Sequence, residues 1–169
     1  MQIEWRLAQM HHLPAVMQLF AQATQALLQA GIAQWNDYYP SADLLREDIE
    51  QSQMYVAFIS DTLAAAVVLN DDFDLEIERI SGTWQYPAQT AGVIHRLCVN
   101  PALQGNGLGT QAVLAAHDWF LQHGKTSVRI DVYPPNHIAM HLYQKLGYQK
   151  AGEVAIRERT FFLFEKALP

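Results

Sequence analysis

The most informative part of this chain is the heptapeptide Gln104-Gly105-Asn106-Gly107-Leu108-Gly109-Thr110. An apolar, strand-like run ends at Val99 before it, and apolar residues at helical spacing follow it. The first turn of a helix carries free backbone N–H groups and the positive end of the helix dipole, so it stabilises an anion without a cationic side chain. Alternate glycines can adopt positive φ and bring the backbone close to phosphate oxygens, and Thr110 can add a hydroxyl. The pattern therefore favours a diphosphate ligand.

Two other interpretations of this glycine-rich stretch compete with the first. A lone Gly-x-Gly also occurs in turns that merely start a helix. A dinucleotide-binding oxidoreductase is the second rival, because Asp131 lies about twenty residues downstream, where such folds carry a ribose-binding acid. However, the third glycine of that fingerprint would fall at Thr110, and the rest of the chain is too short for six parallel strands. A P-loop is not expected either.

Hydrophobic periodicity divides the rest of the chain into strands and helices. Gly31 is expected to end the first long helix, Ser41 to cap the second, and Gly124 to end the third. The turn of a hairpin is expected at Asp61 and Thr62. Within the otherwise unassigned stretch 71–89, the residues that suit a brief extended piece are Leu75, Ile77 and Arg79. The strands are expected at 3–7, 54–60, 63–70, 92–99, 127–132, 148–154 and 160–166, and the helices at 13–30, 42–51, 108–123 and 136–146.

A second set of residues shares one face of the predicted helix at 136–146. Asn136, Ala139, Met140 and Tyr143 fall at helical offsets 0, 3, 4 and 7, so they line about two turns. A tyrosine at such a position is often a half-buried core residue. Here the phenol shares its surface with an amide, which is a pattern that a ligand can use.

The two motifs together resemble those of the GNAT superfamily of acyl-CoA-dependent N-acyltransferases. The first family pattern, Gln/Arg-x-x-Gly-x-Gly/Ala, is matched by Gln104, Gly107 and Gly109. The second pattern, Asn-x-x-Ala-x-x-x-Tyr-x-x-x-Gly-Phe/Tyr, is matched by Asn136, Ala139, Tyr143, Gly147 and Tyr148. The run from His95 to Val99 is similar to the family's fourth strand, and the resemblance is closest over about residues 93–152.

The resemblance implies an α/β (α+β) fold in a single domain spanning residues 1–169. Its mixed, mostly antiparallel sheet would have about six to seven strands, splayed between strands 4 and 5, together with four helices. The pantetheine arm of acetyl-CoA, the expected cosubstrate, would lie in that gap like an added strand. The residues expected to contact the coenzyme are Leu97, Cys98, Val99, Gln104, Gly105, Asn106, Gly107, Leu108, Gly109, Thr110, Asn136 and Met140.

The resemblance also implies transfer of the acetyl group to an amine, with Tyr143 as the general acid that protonates the departing thiolate. Many family members carry a glutamate base near the start of the fourth strand, where this chain reads Val93-Ile94-His95. His95 and Asp131 are equal candidates for the base, although a strand histidine and a loop-capping aspartate are also common as structural residues. Without a working base, the chain would be a non-catalytic acyl-CoA-binding or sensing module.

The amine acceptor is expected to contact the loop from Gly31 to Pro40. Its aromatic residues, Trp35, Tyr38 and Tyr39, could embrace a ligand, although aromatic residues in loops more often pack the loop onto the domain. A second acceptor-binding loop is expected around Arg157 and Glu158.

Composition limits the remaining possibilities. The formal net charge of −6 and the pI near 5.5 argue against a nucleic-acid partner and mildly favour a cationic substrate. The single cysteine, Cys98, excludes an internal disulfide and is expected to be buried and inert. No apolar run reaches the ~18 residues of a membrane span, and the first residues lack a signal core. We expect a cytoplasmic monomer or homodimer that binds no metal and no membrane.

Overall fold

The structure is a computed structural model and describes residues 3–73, 84–156 and 158–169. The chain forms two compact units, residues 1–69 with 96–115 and residues 70–95 with 116–169. The extended piece expected at Leu75, Ile77 and Arg79 lies outside the described residues, and so does Arg157. Among the described residues, no helix combines the length and the apolar character that a bilayer-spanning segment needs.

The structure describes seven strands, and four helices that each have nine residues or more. The sheet has the strand order β1-β2-β3-β4-β5-β7-β6, and its mixed character confirms the predicted fold class. The strands are β1 (Glu4–Leu7), β2 (Met54–Ile59), β3 (Thr62–Asn70), β4 (Ala91–Val99), β5 (Ser127–Val132), β6 (Gln149–Ile156) and β7 (Arg159–Ala167). The helices are α1 (Leu13–Gln29), α2 (Ala42–Glu50), α3 (Leu108–Gln122) and α4 (His137–Lys145).

The first unit contains the predicted hairpin. β1 pairs antiparallel with β2, and β2 pairs antiparallel with β3. The turn is Ser60-Asp61, one residue earlier than predicted, because Thr62 already pairs with Ile59. Ser60 has a φ of 54°, which matches the twist that a two-residue hairpin turn requires.

The ends of α1 and α2 follow the local signals in the sequence. Gly31 has a φ of 78° and lies just after α1, so the left-handed conformation that ends the helix costs little there. The Ser41 hydroxyl accepts a hydrogen bond of 3.1 Å from the Leu44 amide and caps α2 as predicted. The inner face of α1 packs into a core with β2 and β3, to which α1 contributes Leu13, Val16, Leu19, Phe20 and Ala23.

The second unit contains a parallel pairing, between β4 and β5. β5 pairs antiparallel with β7, and β7 with β6. β4 pairs with β5 only from Ala91 to Val93, opposite Ser127 to Arg129, although both strands continue further. This short ladder agrees with the predicted splay between strands 4 and 5. The core of this unit is built around Phe73, Val93, Val154, Phe161 and Leu163.

Gly92 allows α3 to pack closely on β4. A Cβ atom at this position would lie 2.2 Å from Cδ1 of Phe120, whose side chain is fully buried. Real Cβ contacts do not reach such a distance, so a side chain here would displace the ring.

We predict that Gly92→Ala lowers the free energy of unfolding by about 1–3 kcal/mol, because it overpacks a rigid core. Urea denaturation followed by circular dichroism measures the change. The double variant Gly92→Ala/Phe120→Leu should lose less free energy of unfolding than the two single variants lose together, since the smaller side chain leaves room for the methyl group. Strict additivity would contradict this explanation.

Candidate functional site

We call residues 104–110 the glycine loop. Its first four residues are exposed, and its last three form the start of α3. Gly105 and Gly107 have φ values of 85° and 74°, whereas Gly109 lies inside the first turn of the helix without a positive φ. The prediction of positive φ therefore holds for two of the three glycines. A Cβ at Gly105 would meet nothing within 4 Å, and one at Gly107 would meet only the Gln111 side chain at 4.0 Å. The backbone of this loop is thus open to a ligand.

Two asparagines hold the glycine loop in place within the first unit. The Asn100 side chain accepts a hydrogen bond from the Ala102 amide at 3.0 Å and donates one to the Leu63 carbonyl at 3.1 Å. The Asn106 side chain donates to the Leu103 carbonyl at 3.0 Å. A loop that is ordered before a ligand arrives loses less entropy on binding.

Cys98 lies in the core of the first unit. Its side chain is 2% exposed, and its Sγ lies 4.0 Å from the Leu19 carbonyl oxygen. Burial raises the pKa of the thiol well above its usual range, so the sulfur is protonated and unreactive, as predicted. Leu97 and Val99 on either side are half-buried.

An ion pair that the sequence did not reveal joins β4 to α2. Arg96 donates from Nε and Nη2 to the two carboxylate oxygens of Asp48, at 2.8 and 2.6 Å. It also donates from Nη1 to the Tyr39 hydroxyl at 3.3 Å. Burial alone would lower the pKa of Arg96, but the hydrogen bonds and the charge of Asp48 outweigh it and raise the pKa. Arg96 has a φ of 47°, so β4 bends at this residue.

The three aromatic residues predicted to bind the acceptor have different environments. Trp35 is 6% exposed and packs against Phe20, with ring centroids 5.3 Å apart. Tyr39 is half-buried at the Arg96 ion pair, and Tyr38 is 88% exposed. Trp35 and Tyr39 thus anchor the loop, which leaves Tyr38 as the aromatic side chain that projects into solvent.

The second sequence motif lies in the second unit, and several of its residues cap the two ends of α4. The Asn136 side chain accepts a hydrogen bond from the Ala139 amide at 3.1 Å and caps α4. Gly147 has a φ of 88°, and the Tyr148 amide donates to the Tyr143 carbonyl at 3.0 Å. These features form a C-terminal cap of the Schellman type. Met140 on the same helix is half-buried.

Tyr143 is the most buried of the predicted catalytic residues. It is 4% exposed, and its ring meets the Tyr148 ring edge-on with centroids 5.3 Å apart. Burial, and secondly the charge of Asp131, raises the pKa of Tyr143 above its ordinary value. Two predicted site residues, Tyr143 and Asp131, therefore interact electrostatically. The third, His95, is half-buried, with Nε2 2.8 Å from Oδ1 of Asn70.

A buried histidine, which the sequence did not single out, supports Tyr148. His117 on α3 is 7% exposed, and a hydrogen bond of 2.7 Å joins its Nε2 to the Tyr148 hydroxyl. Burial, followed by the positive charge of Lys166, lowers the pKa of His117 to about 4. His117 is therefore neutral at physiological pH.

Other candidate ligand sites have structural explanations or are not found. Gly124-Lys125-Thr126 has the Gly-Lys-Thr ending of a P-loop, but it follows α3 and precedes β5, whereas a P-loop leads from a strand into a helix. Lys125 donates to Asp71 at 2.9 Å. In the part of the chain that the structure describes, no group of three His, Cys, Asp or Glu side chains could hold a metal ion.

We predict that His117 makes the protein less stable as the pH falls from about 6.5 to about 4. In that window the unfolded state binds a proton that the folded state excludes, so acidification favours unfolding; above about pH 6.5 the full stability is present. The loss should be roughly 1–3 kcal/mol. His117→Gln keeps a hydrogen-bonding group but does not titrate. Urea midpoints at several pH values should therefore fall less steeply in this variant, and equal slopes would contradict the assignment.

Comparison with known proteins identifies a family model and a relative that match parts of this chain. Residues 13–148 match the model of the "Acetyltransferase (GNAT) family". Over 62 residues, the chain is 36% identical to a mycothiol acetyltransferase from Renibacterium salmoninarum. That match covers 37% of this chain and spans only 18% of the relative's length.

Several solved structures share the fold. A GNAT-family acetyltransferase from Streptococcus agalactiae superposes with a TM-score of 0.84 at 24% identity, covering 98% of this chain and 95% of that one. YncA from Salmonella typhimurium, solved with its cofactor acetyl-CoA, has a TM-score of 0.73 at 17% identity and covers 100% and 95% of the two chains. The PaiA N-acetyltransferase of Thermoplasma acidophilum, solved with coenzyme A, has a TM-score of 0.73 at 18% identity, with 99% of each chain covered.

Proposed function

This chain belongs to the GNAT acetyltransferase family, and we propose that it transfers an acetyl group from acetyl-CoA to a primary amine of a small molecule or peptide. The observation that carries the proposal is the exposed glycine loop that enters α3, with Gly105 and Gly107 at positive φ. Such a backbone presents N–H groups to an anion at the positive end of a helix dipole. The solved relatives that contain acetyl-CoA or coenzyme A support the choice of that anion.

The coenzyme's diphosphate would bind the backbone of residues 104–110. The amides of Leu108, Gly109 and Thr110 begin α3, where no carbonyl of the same helix lies within reach. The pantetheine arm would bond the backbone of Leu97 and Val99, as an added strand does. Asn136 and Met140 are proposed as further contacts.

We predict that Gly105→Ala and Gly107→Ala each weaken acetyl-CoA binding about tenfold, because a Cβ at positive φ shifts the amides that hold the phosphates. Isothermal titration calorimetry measures the affinity. Gly124→Ala is the matched control, since Gly124 also has a positive φ and open space but lies outside the loop. It should lose stability by a similar amount and bind acetyl-CoA normally. Stabilisation of the native protein by NAD instead of acetyl-CoA would overturn the proposal.

The reaction forms a C–N bond and breaks the C–S bond of the thioester. A protonated amine must first lose a proton to a base, and the thiolate that leaves must gain one. We assign the second step to Tyr143. A phenol is protonated at neutral pH even at its ordinary pKa of about 10, and burial raises the pKa of Tyr143 further. The same low-dielectric surroundings would make a nearby thiolate a stronger base.

We predict that Tyr143→Phe lowers kcat about 100-fold while leaving the Kd for acetyl-CoA nearly unchanged, because the lost hydroxyl acts only in the transition state. Release of free thiol from acetyl-CoA reports the rate. Tyr148→Phe is the matched control, since it removes a phenol oxygen from the neighbouring buried ring. An equal fall of kcat in both variants would assign Tyr143 a packing role instead.

We propose Asp131 and His95 as candidates for the general base, and the same assay separates them. A base that must be deprotonated produces a fall of kcat/KM on the acidic side of the pH profile. Asp131→Asn or His95→Ala should abolish that acidic limb if the residue is the base. An unchanged limb in both variants would remove both residues from this role.

A non-catalytic acyl-CoA-binding module is the second candidate function. Near the start of β4, where many family members carry a glutamate, this chain has Val93, Ile94 and His95, and the first two are each 1% exposed. This candidate predicts tight binding of acetyl-CoA without thiol release across a panel of polyamines, amino acids, aminoglycosides and N-terminal peptides. Thiol release with any of these amines would exclude it.

A further inference from the structure

A groove of about 470 Å³ opens in the first unit between α1, α2 and the loop that joins them. This volume lies within the range of roughly 300–1,000 Å³ that is usual for small-molecule sites. Its wall on α1 consists of residues at offsets 0, 3, 4, 7, 8 and 11, which form one face of the helix. The lining residues are Met17, Phe20, Ala21, Thr24, Gln25, Leu28, Asn36, Asp37, Pro40, Ala42 and Leu45.

The groove has an apolar floor, and its rim carries both apolar and polar side chains. Phe20 and Leu45 are each 2% exposed and belong to the core of the unit, whereas Met17 and Leu28 are 40% and 49% exposed. Exposed apolar side chains beside a concave apolar floor gain free energy when a ligand covers them, by about 25 cal/mol for each Å² removed from water. The groove therefore favours a ligand with an apolar body.

Asp37 gives the groove its charge. It is the only charged residue among those that line the groove, and no described residue forms an ion pair with it. The positive end of α2 lies at Ala42, but the Ser41 hydroxyl and Asp43 already complement its first turn. The uncompensated charge of the groove is thus negative, and it favours a cation.

The Asp37 backbone is held in a tight turn. The Asn36 side-chain oxygen accepts hydrogen bonds of 2.9 Å from the amides of both Tyr38 and Tyr39, and the Asn36 amide donates to the Tyr39 carbonyl at 3.0 Å. Buried Trp35 precedes the turn, and Tyr39, which contacts Arg96, ends it. The carboxylate therefore stands on a preorganised backbone, so binding does not have to order the loop.

We propose that this groove binds a small amphipathic organic cation, an ammonium group carried on an aryl or alkyl body. The ammonium group pairs with Asp37, and the body covers Met17, Phe20 and Leu28. A second copy of the chain is a poorer occupant, since a stable protein interface needs about 800 Å² from each partner and this site is a single concave groove. The proposal concerns binding alone and is tested without acetyl-CoA, so its failure is distinct from a failure of acetyl transfer.

The methionine methyl groups provide the assay. In protein labelled with ¹³C at the methionine methyls, 2-phenylethylammonium should shift the Met17 resonance in a saturable way. The resonance of Met10, which is 44% exposed against 40% for Met17 but lies outside the groove, should not move. The neutral isostere 2-phenylethanol should bind about five-fold more weakly, and phenylacetate more weakly still.

Two pairs of variants test the charge and the shape of the groove. Asp37→Asn should weaken the binding of 2-phenylethylammonium about three- to five-fold, whereas Asp43→Asn, which removes the same charge from an exposed residue of α2 outside the lining, should not. Ala21→Trp should fill the groove and abolish the Met17 shift, whereas Gln22→Trp on the neighbouring exposed position should retain it.

Three results would overturn the proposal. The first is an equal response of Met10 and Met17, which would indicate non-specific association. The second is equal affinity for the cation and for phenylacetate, which would remove Asp37 from recognition. The third is an unchanged Met17 response in Ala21→Trp with a folded spectrum, which would place the ligand elsewhere.

Discussion

The guanidinium of Arg96, whose side chain is only 11% exposed, has to keep its donors satisfied, and its bonds tie three parts of the first unit together. Arg96 at the bend of β4 holds the carboxylate of Asp48 on α2 and the hydroxyl of Tyr39 in the loop between α1 and α2. Breaking such a pair leaves a buried charge uncompensated, which costs several kcal/mol. Strand, helix and loop are therefore tied at one point, and the turn that carries Asp37 is tied with them.

Residues in and near the two sequence motifs also have structural roles. Asn136 and Gly147 are the two ends of α4, and Asn100 joins the segment ahead of the glycine loop to the hairpin. Asn136, which the resemblance associates with the coenzyme, thus also satisfies a backbone group that the helix end would leave unpaired. A site built on capped helix ends is ordered before the ligand arrives, and this lowers the entropic cost of binding.

Tyr143, Tyr148 and His117 are all buried in the second unit, and their contacts differ. Tyr143 and Tyr148 pack edge-on, and His117 holds the Tyr148 hydroxyl, so the two rings have little freedom to rotate. Asp131 adds a negative charge that disfavours ionisation of Tyr143. A protonated phenol held in this way is consistent with the role of proton donor that we propose for Tyr143, whereas the neutral His117 supports the Tyr148 hydroxyl.

Sequence alone predicted what neighbouring residues control. The element order, the Ser41 cap, the glycine that follows α1 and the hairpin depend on periodicity and on hydrogen bonds between residues a few positions apart, and such patterns are visible in the chain. The two spaced motifs were sufficient to indicate the family for the same reason. The errors were local as well. The hairpin turn begins one residue earlier than predicted, and Gly109 lies in α3 without the positive φ that was expected.

Only the tertiary structure decided which distant groups meet. Arg96 and Asp48 are 48 residues apart and His117 and Tyr148 are 31 apart, so no spacing rule connects them. The groove beside Asp37 likewise depends on how α1 and α2 pack, and the burial of Trp35 depends on Phe20. Contacts of this kind follow from the packing of a whole core. That packing depends on volume and shape in three dimensions, so it leaves no periodic signal in the linear sequence.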